Sequence, residues 1–520
     1  MTPAPRHELL AVLDFGSQYG QLIARRAREL GVYAELFAPD TSAATLLARG
    51  ARAAILSGGP DSADVQGART VDPAIYDALP ILGICYGAQR MALDLGGRSG
   101  RGDDGEFGPV PVTLTPAGAA PDSLVAGLRD GGTVWMSHRD RVLALPQGFV
   151  HLATTPSATF AAFAAPERRL YGVQFHPEVG HTEGGRDVLA RFLLGVAGFR
   201  GDWSMAGFAD EAIEAIRAQV GGRARALVAL SGGVDSSVAA ALSARALGRR
   251  LTAIFVDHGL LRKNEGDQVM TAMAALGVRV RRVDVQERFL SALAGVADPE
   301  QKRRIIGTLF IRVFEAEARR EAEGGARFLV QGTLYPDVVE SGSGQAQTIK
   351  SHHNVGGLPE DLDLSLVEPL RLLFKDEVRA LGRRLGLPEA VVARQPFPGP
   401  GLAVRIAGPV TAAALDLLRE ADRVVCDEIE AAGLAPSLFQ YFAILLAPLR
   451  AVGVMGDNRT YGMPVVVRAV ASEDGMTADR AHLPEAVLGR IASRLGNEVP
   501  GVGRVLYDLT TKPPGTIEWE

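Results

Sequence analysis

The stretch Gly83-Ile84-Cys85-Tyr86-Gly87 has the order glycine, x, nucleophile, x, glycine. That order suits a sharp strand-to-helix turn, where glycines are needed because a Cβ beside the nucleophile would be crowded. A thiolate is well placed at the N-terminus of the helix that follows, Tyr86–Leu95. It needs a base, and a group that orients the base. Gly172–Glu178, GVQFHPE, offers both: His176 and Glu178 stand two apart at a strand end and so project to one side. Ser57-Gly58-Gly59-Pro60 follows another strand and can offer backbone N–H donors to an oxyanion. Each fragment has a plainer explanation, a cysteine that only packs or a histidine that is structural or exposed. Three such fragments at strand ends of one sheet argue for a thiol nucleophile with its base and its oxyanion donors.

A second constellation is Leu227–Ser237, LVALSGGVDSS. A short apolar strand runs into Ser231, Gly232, Gly233, Val234, Asp235, Ser236 and Ser237, and then into helix Val238–Leu247. Strand, glycine turn and helix start aim backbone N–H groups and the positive end of a helix dipole at one spot. Two glycines let the backbone approach an anion, and three serine hydroxyls add donors. Asp235 fits a magnesium ion that neutralises phosphate charge. No lysine follows the glycines, so this is not the loop of ordinary nucleotide triphosphatases. A helix N-terminus capped by serine and aspartate needs no ligand; the full SGGVDSS string favours phosphate.

These segments need scaffolds. At 520 residues the chain should hold roughly two to four domains. With 22% charged and 47% hydrophobic residues and a net charge of −5, the composition is that of a soluble protein. Basic residues are dispersed, so a nucleic-acid partner is not expected. No apolar run approaches a membrane span, and MTPAPRHELL lacks a signal-peptide core. Two cysteines, Cys85 and Cys426, exclude a disulfide framework and a thiolate zinc cluster and fit a reducing cytoplasm.

Leu9–Asp14, Val32–Phe37, Ala53–Leu56 and Ile81–Ile84 read as buried parallel strands, separated by helices Gln18–Leu30, Thr41–Arg49 and Asp72–Leu79. Shorter strands follow from Val110 to Phe175, and helix Gly185–Val196 closes the unit. The second unit reads as helix Asp210–Val220, the glycine turn, strands Leu251–Val256 and Val278–Val285, a long helix over Glu300–Glu323, strand Arg327–Gln331 and helix Phe374–Leu385. Between the last two, residues 341–361 are polar, glycine-rich and poorly periodic, a loop of functional length. The third reads as helix Val410–Ala432, strand Val465–Ala471, helix Pro484–Leu495 and a tail, whose TIEW favours packing over disorder. The expected fold is α/β: two doubly wound domains and a smaller α+β C-terminal domain.

DFGSQY (14–19), SGGP (57–60), GICYGAQ (83–89) and FHPEV (175–179) resemble a class I glutamine amidotransferase, and SGGVDSS resembles the loop of ATP-pyrophosphatases. With KSHHNVGG (350–357), PFPGPGLAVR (396–405), GDNRTY (456–461) and KPPGTIEWE (512–520), the whole resembles the glutamine-hydrolysing GMP synthase family from about residue 8 to the last. The resemblance implies an amidotransferase over 7–197, an ATP-pyrophosphatase over 198–396 and a dimerisation and XMP-binding domain over 397–520. It implies that Cys85 attacks the amide of glutamine, that His176 moves protons and that Glu178 orients His176. Gly59 and Tyr86 would form the oxyanion hole, and Gln89 would help hold glutamine. Ser231–Ser237 would bind ATP phosphates, with Asp235 on magnesium. Arg303, Asp457, Lys512 and Glu518 would bind XMP, although Lys302, Arg303 and Arg304 compete for the first of these places. Lys350, His352 and His353 would belong to a lid. The implied reaction joins XMP, ATP and L-glutamine to give GMP, AMP, diphosphate and glutamate through an adenylyl-XMP intermediate, in a homodimer. The alternative is another ATP-pyrophosphatase amidotransferase, such as a glutamine-dependent NAD synthetase.

Two positions depart from the family. Arg139 stands where a glycine is usual, so a required positive φ would be costly there. Ala88 replaces a common methionine, a packing change.

Overall fold

In the computed structural model, residues 7–342, 364–455, 458–472 and 477–520 are described. The chain divides into two units, Met1–Gly207 and Phe208–Glu520.

The first unit is built on an eight-stranded sheet. Its parallel part runs in the order Tyr33–Phe37, Leu9–Leu13, Ala51–Leu56, Ile81–Ile84, Leu170–Val173. Leu9–Leu13 and Ile81–Ile84 are buried at every position, the pattern of strands covered on both faces. Ala162–Ala165, Val150–Thr154 and Thr113–Leu114 extend the sheet in antiparallel fashion. The expectation of short strands from Val110 needs one correction: a long antiparallel pair, Arg98–Pro111 with Thr133–Ala144, stands apart as its own two-stranded sheet. Gly102-Asp-Asp-Gly105 hid it, because glycine and aspartate are poor strand formers. The ladder steps over them, from Arg101 opposite Asp140 to Glu106 opposite His138.

The second unit holds a five-stranded parallel sheet, ordered Val280–Asp284, Leu251–Asp257, Arg225–Leu230, Ala326–Val330, Ser365–Val367. The helix after Arg225–Leu230 begins at Val234, four residues before the expected start. Asp235, Ser236 and Ser237 are poor in helix interiors but suit a first turn, where an acid meets the helix dipole. A second sheet is ordered Ile406–Ala407, Gln440–Leu446, Asn458–Ala471, Ala451–Met455, with Val502–Tyr507 parallel to Asn458–Ala471. Sequence reading found only the second half of Asn458–Ala471. Gly462 and Pro464 masked the first half, yet Gly462 is needed there: a Cβ on it would lie 2.5 Å from the Gly503 nitrogen. Helix Ala412–Ala431 starts at Thr411, whose hydroxyl accepts the Ala414 N–H at 3.1 Å, and buries Leu415, Leu418, Val425 and Ile429 along one stripe. One hydrophobic cluster runs from Leu227 and Ile254 of the first sheet to Val467 and Ile491 of the second part. Both sheets therefore belong to one body.

His258, just past strand Leu251–Asp257, is buried beside Phe289, and its Nδ1 accepts the Leu260 N–H at 3.1 Å. Burial pushes its pKa down to about 4, against the pull of Asp257. The folded ring refuses a proton that the unfolded chain accepts below about pH 6.5. Stability is therefore full above that pH and falls as the pH drops toward 4, by about 3 kcal/mol from this group. Thermal midpoints measured from pH 7.5 to 4 should fall less steeply in His258→Asn than in the parent chain.

Candidate active sites

Strand Ile81–Ile84 delivers Cys85 directly to helix Tyr86–Asp94. Cys85 has φ 51° and ψ −109°, a strained backbone for a residue with a Cβ. The strain is held by a hydrogen bond from the Cys85 N–H to the Val173 carbonyl, 2.8 Å, on the neighbouring strand. The flanking glycines are sterically required. A Cβ on Gly87 would lie 2.3 Å from the Leu56 carbonyl oxygen, and one on Gly83 would lie 2.7 Å from the Ala88 backbone.

Strand Leu170–Val173 leads into Gln174, His176 and Glu178. His176 Nδ1 meets Glu178 Oε1 at 2.8 Å, and both side chains are buried. The His176 backbone is pinned on both sides: its N–H donates to the Trp135 carbonyl at 3.0 Å, and its carbonyl accepts the Thr182 hydroxyl at 2.6 Å. The ring packs edge-on against Tyr19. Burial opposes a charge on His176, but the Glu178 carboxylate and the Cys85 sulfur together hold its pKa well above the usual value. Cysteine, histidine and glutamate are thus brought together as the spacing predicts.

The SGGP loop joins them. The Gly87 N–H donates to the Ser57 carbonyl at 3.0 Å. A Cβ on Gly58 would sit 3.3 Å from His176 Cε1, and one on Gly59 3.1 Å from the Tyr86 ring. Tyr86 opens the helix, so its N–H has no acceptor in the helix's own ladder. Gln89 is buried; its amide nitrogen donates to the Asp140 carbonyl at 2.7 Å and to Gln174 Oε1 at 3.3 Å. Gln174 in turn points its amide nitrogen at Cys85 Sγ, 3.5 Å away. Sequence reading missed Gln174, although it lies two residues before His176 in the same extended segment and so faces the same side. The concern over Arg139 is removed. It lies in strand Thr133–Ala144, exposed, and is not among the residues of positive φ, so no left-handed backbone is demanded of it.

In the second unit Gly232 has φ +82°, which only glycine adopts freely. Gly233 caps the helix without a side-chain hydrogen bond. The serines knit the loop together: Ser236 and Ser237 donate to the Gly233 carbonyl at 3.1 and 2.8 Å, and Ser231 and Ser236 share a bond of 3.1 Å. Arg394 braces the loop from outside, donating to the Gly232 carbonyl at 2.8 Å and to Glu265 at 2.9 Å. Asp235 pairs through Oδ2 with Lys375, while its Oδ1 is buried without a hydrogen-bond partner. That orphaned oxygen fits a cation. Among the described residues no group of three or more His, Cys, Asp or Glu could hold a metal by itself. One carboxylate plus substrate phosphates is, however, the usual way magnesium is held. Lys375 escaped sequence reading; the clue was a cation in a helix's first turn, where the dipole disfavours it.

The tail packs, as TIEW suggested. Glu518 takes two bonds from Arg405, at 3.0 and 2.8 Å. Arg468, also buried, donates to the carbonyls of Ile517 and Thr516 at 2.7 and 2.6 Å and to Asp508 at 2.6 Å. Of the three basic candidates, Lys302 is fully buried and bonded to the Ile406 carbonyl at 2.6 Å and to Glu520. Arg303 is half-buried and donates to the Glu520 carbonyl, and Arg304 is exposed. The Lys512 backbone bridges to Ala478. Lys350, His352, His353 and Asp457 lie outside the described residues. A cleft of about 370 Å³ beside Arg262 and Arg282 contains none of these candidates.

Fold and sites together define a class I glutamine amidotransferase joined to an ATP-pyrophosphatase. The family model described as glutamine amidotransferase class-I matches residues 11–196, NAD synthase matches 211–310, and the GMP synthase C terminal domain matches 427–519. Over 99% of its length the chain is 58% identical to a GMP synthase (glutamine-hydrolyzing) from Parafrankia sp., covering 97% of that protein. It is 54% identical to the Heliobacterium modesticaldum protein of the same name and 55% identical to that of Symbiobacterium thermophilum, covering 100% and 99% of them. The chain belongs to the glutamine-hydrolysing GMP synthases. The NAD synthase match falls on the module that carries the phosphate loop, and the relatives matched over the full length exclude the NAD synthetase alternative.

The close approach at Gly87 has a direct consequence. Gly87→Ala should push the Cys85 turn off the Leu56 carbonyl and lower glutamine hydrolysis by about a hundredfold or more. Gly195→Ala, where a Cβ meets open space, serves as the control and should leave the glutaminase rate unchanged.

Proposed function

We propose that the first unit releases ammonia from glutamine and the second uses it to aminate XMP at the expense of ATP. The observation that carries the first half is the His176–Glu178 pair at 2.8 Å beside a cysteine held in a strained turn. Cys85 Sγ attacks the amide carbon, and the N–H groups of Gly59 and Tyr86 receive the oxyanion. His176, kept protonated by Glu178, gives its proton to the departing nitrogen. Ammonia leaves, and a thioester remains on Cys85. Water then attacks the thioester with His176 as base, and glutamate is released with the Cys85 thiolate and protonated His176 restored. Gln174 and Gln89 line this site as positioning groups.

In the second half the loop Ser231–Ser237 binds the β- and γ-phosphates of ATP, and Lys375 adds charge. Asp235 would hold magnesium, which, when bound, neutralises the phosphates. The XMP 2-oxygen attacks the α-phosphorus and diphosphate leaves; ammonia then displaces AMP from the purine carbon to give GMP. Arg303, Asp457, Lys512 and Glu518 are the proposed XMP contacts, and Lys350, His352 and His353 the proposed lid. The position of Arg303 on the Glu520 carbonyl supports it over Lys302, whose ammonium is consumed in the interior. A cytoplasmic setting is supported by two unpaired thiols, Cys85 and Cys426. No described helix is long and apolar enough to cross a membrane.

The C-terminal sheet supports a homodimer. Val452 and Tyr461 stand opposite each other on neighbouring strands, with Val454 beyond, and all three are exposed. Exposed apolar side chains on neighbouring strands support a protein contact here. The parent chain should sediment as a dimer at micromolar concentration, and Val452→Glu with Val454→Glu should sediment as a monomer; a monomeric parent chain would refute the assembly.

The division of labour between the two units is tested with XMP, ATP and magnesium. Cys85→Ala should lower glutamine-dependent GMP formation by about a thousandfold or more and leave ammonia-dependent formation intact. A folded Cys85→Ala protein that lost both activities equally would refute the two-site reading. The nucleotide product must be AMP, not ADP.

A further inference from the structure

Arg405 is fully buried, and its Nε and Nη2 are both aimed at one carboxylate near the end of the chain. Its Nε and Nη2 donate to Glu518 Oε2 and Oε1 at 3.0 and 2.8 Å, a two-pronged pair that fixes the plane of the carboxylate. Gln440, itself buried, adds a third donor to Oε1 at 3.2 Å and ties its amide to the Pro396 carbonyl at 2.7 Å. Behind the carboxylate, the guanidinium lies 3.8 Å from the centre of the Phe442 ring and 3.9 Å from Asp422. Asp422 is itself held by the Ala443 N–H at 3.1 Å. Glu518 keeps some exposure, whereas Arg405 has none. A buried cation on such a seat cannot touch substrate. It can only set where Glu518 stands.

We infer that Arg405 is a positioning residue for the purine nucleotide, acting through Glu518; this rests on the reading of Glu518 as an XMP contact. Without the guanidinium, a partly buried carboxylate loses its counter-charge and turns toward water, so the XMP contact is lost while the ATP loop is untouched. A lysine at 405 can supply charge but not the fork, and should restore part of the effect.

The test is steady-state kinetics of the full chain, with XMP varied at saturating ATP and ammonia and melting curves as a folding check. Glu518→Gln should raise KM for XMP by about tenfold or more. Arg405→Gln should raise it similarly, Arg405→Lys by less, with kcat and KM for ATP held within about threefold. Because the arginine acts through the glutamate, Arg405→Gln combined with Glu518→Gln should be no worse than Glu518→Gln alone. An unchanged XMP KM in Glu518→Gln overturns the reading of Glu518. A raised KM there with none in Arg405→Gln overturns the inference alone, as do effects that multiply in the double variant or a joint loss of kcat and ATP binding. Should Arg405→Gln not fold, Arg405→Lys with and without Glu518→Gln closes the same cycle.

Discussion

The second unit depends on buried positive charge. Lys302, Arg405 and Arg468 are each almost wholly removed from water, and a buried cation without partners costs several kcal/mol. The last residues of the chain supply those partners: the carboxylates of Glu518 and Glu520 and the carbonyls of Thr516 and Ile517. Lys302 comes from the long helix Pro299–Glu323, Arg405 from the turn before the second sheet, and Arg468 from its central strand. A tail that satisfies all three stitches the two sheets to each other. Removing it would take a partner from each of three buried charges at once, so the terminus is structural as well as a candidate nucleotide contact.

The first unit concentrates its cost in one residue. A left-handed cysteine is tolerated because the strand before it, the helix after it and the Val173 carbonyl beside it leave no alternative path. The same crowding that forbids a Cβ at residues 83 and 87 fixes the turn that carries the Cys85 sulfur. Burial alone would drive the proton off that histidine; Glu178 and the sulfur reverse the outcome, which suits the ring to the acid role proposed for it.

How much of this was legible before the structure follows from the range of each interaction. GICYG, SGGP and SGGVDSS are local geometries, with residue types dictated by backbone shape within a few positions, and all were readable. His176 and Glu178 were readable through the two-residue period of a strand. Gln174 obeys the same period, and only the habit of seeking titratable groups hid it. Lys375 and Arg405 act on Asp235 and Glu518, far away in the chain; the cation in a helix's first turn hints at Lys375, and no local pattern marks Arg405. The antiparallel pair from Arg98 and the strand from Asn458 failed for another reason: glycine, aspartate and proline oppose strand formation locally, and long-range pairing overrode them.

The same long-range contacts explain why the phosphate loop and the tail behave as parts of one body. From the Gly232 carbonyl the path runs through Arg394 to Glu265, whose other oxygen accepts the Arg262 N–H at 3.0 Å. The Arg262 side chain pairs with Asp422 at 3.3 Å, Asp422 faces Arg405, and Arg405 grips Glu518. The weakest link is Asp422 to Arg405, 3.9 Å apart without a hydrogen bond, and the shared hydrophobic cluster runs beneath the path. A displacement at phosphorus needs its attacking and leaving groups in line to within a fraction of an ångström. On the proposed assignment, with diphosphate on the loop and the purine nucleotide on the tail, packed and paired residues connect the two seats. On that assignment one folded unit holds both substrate seats.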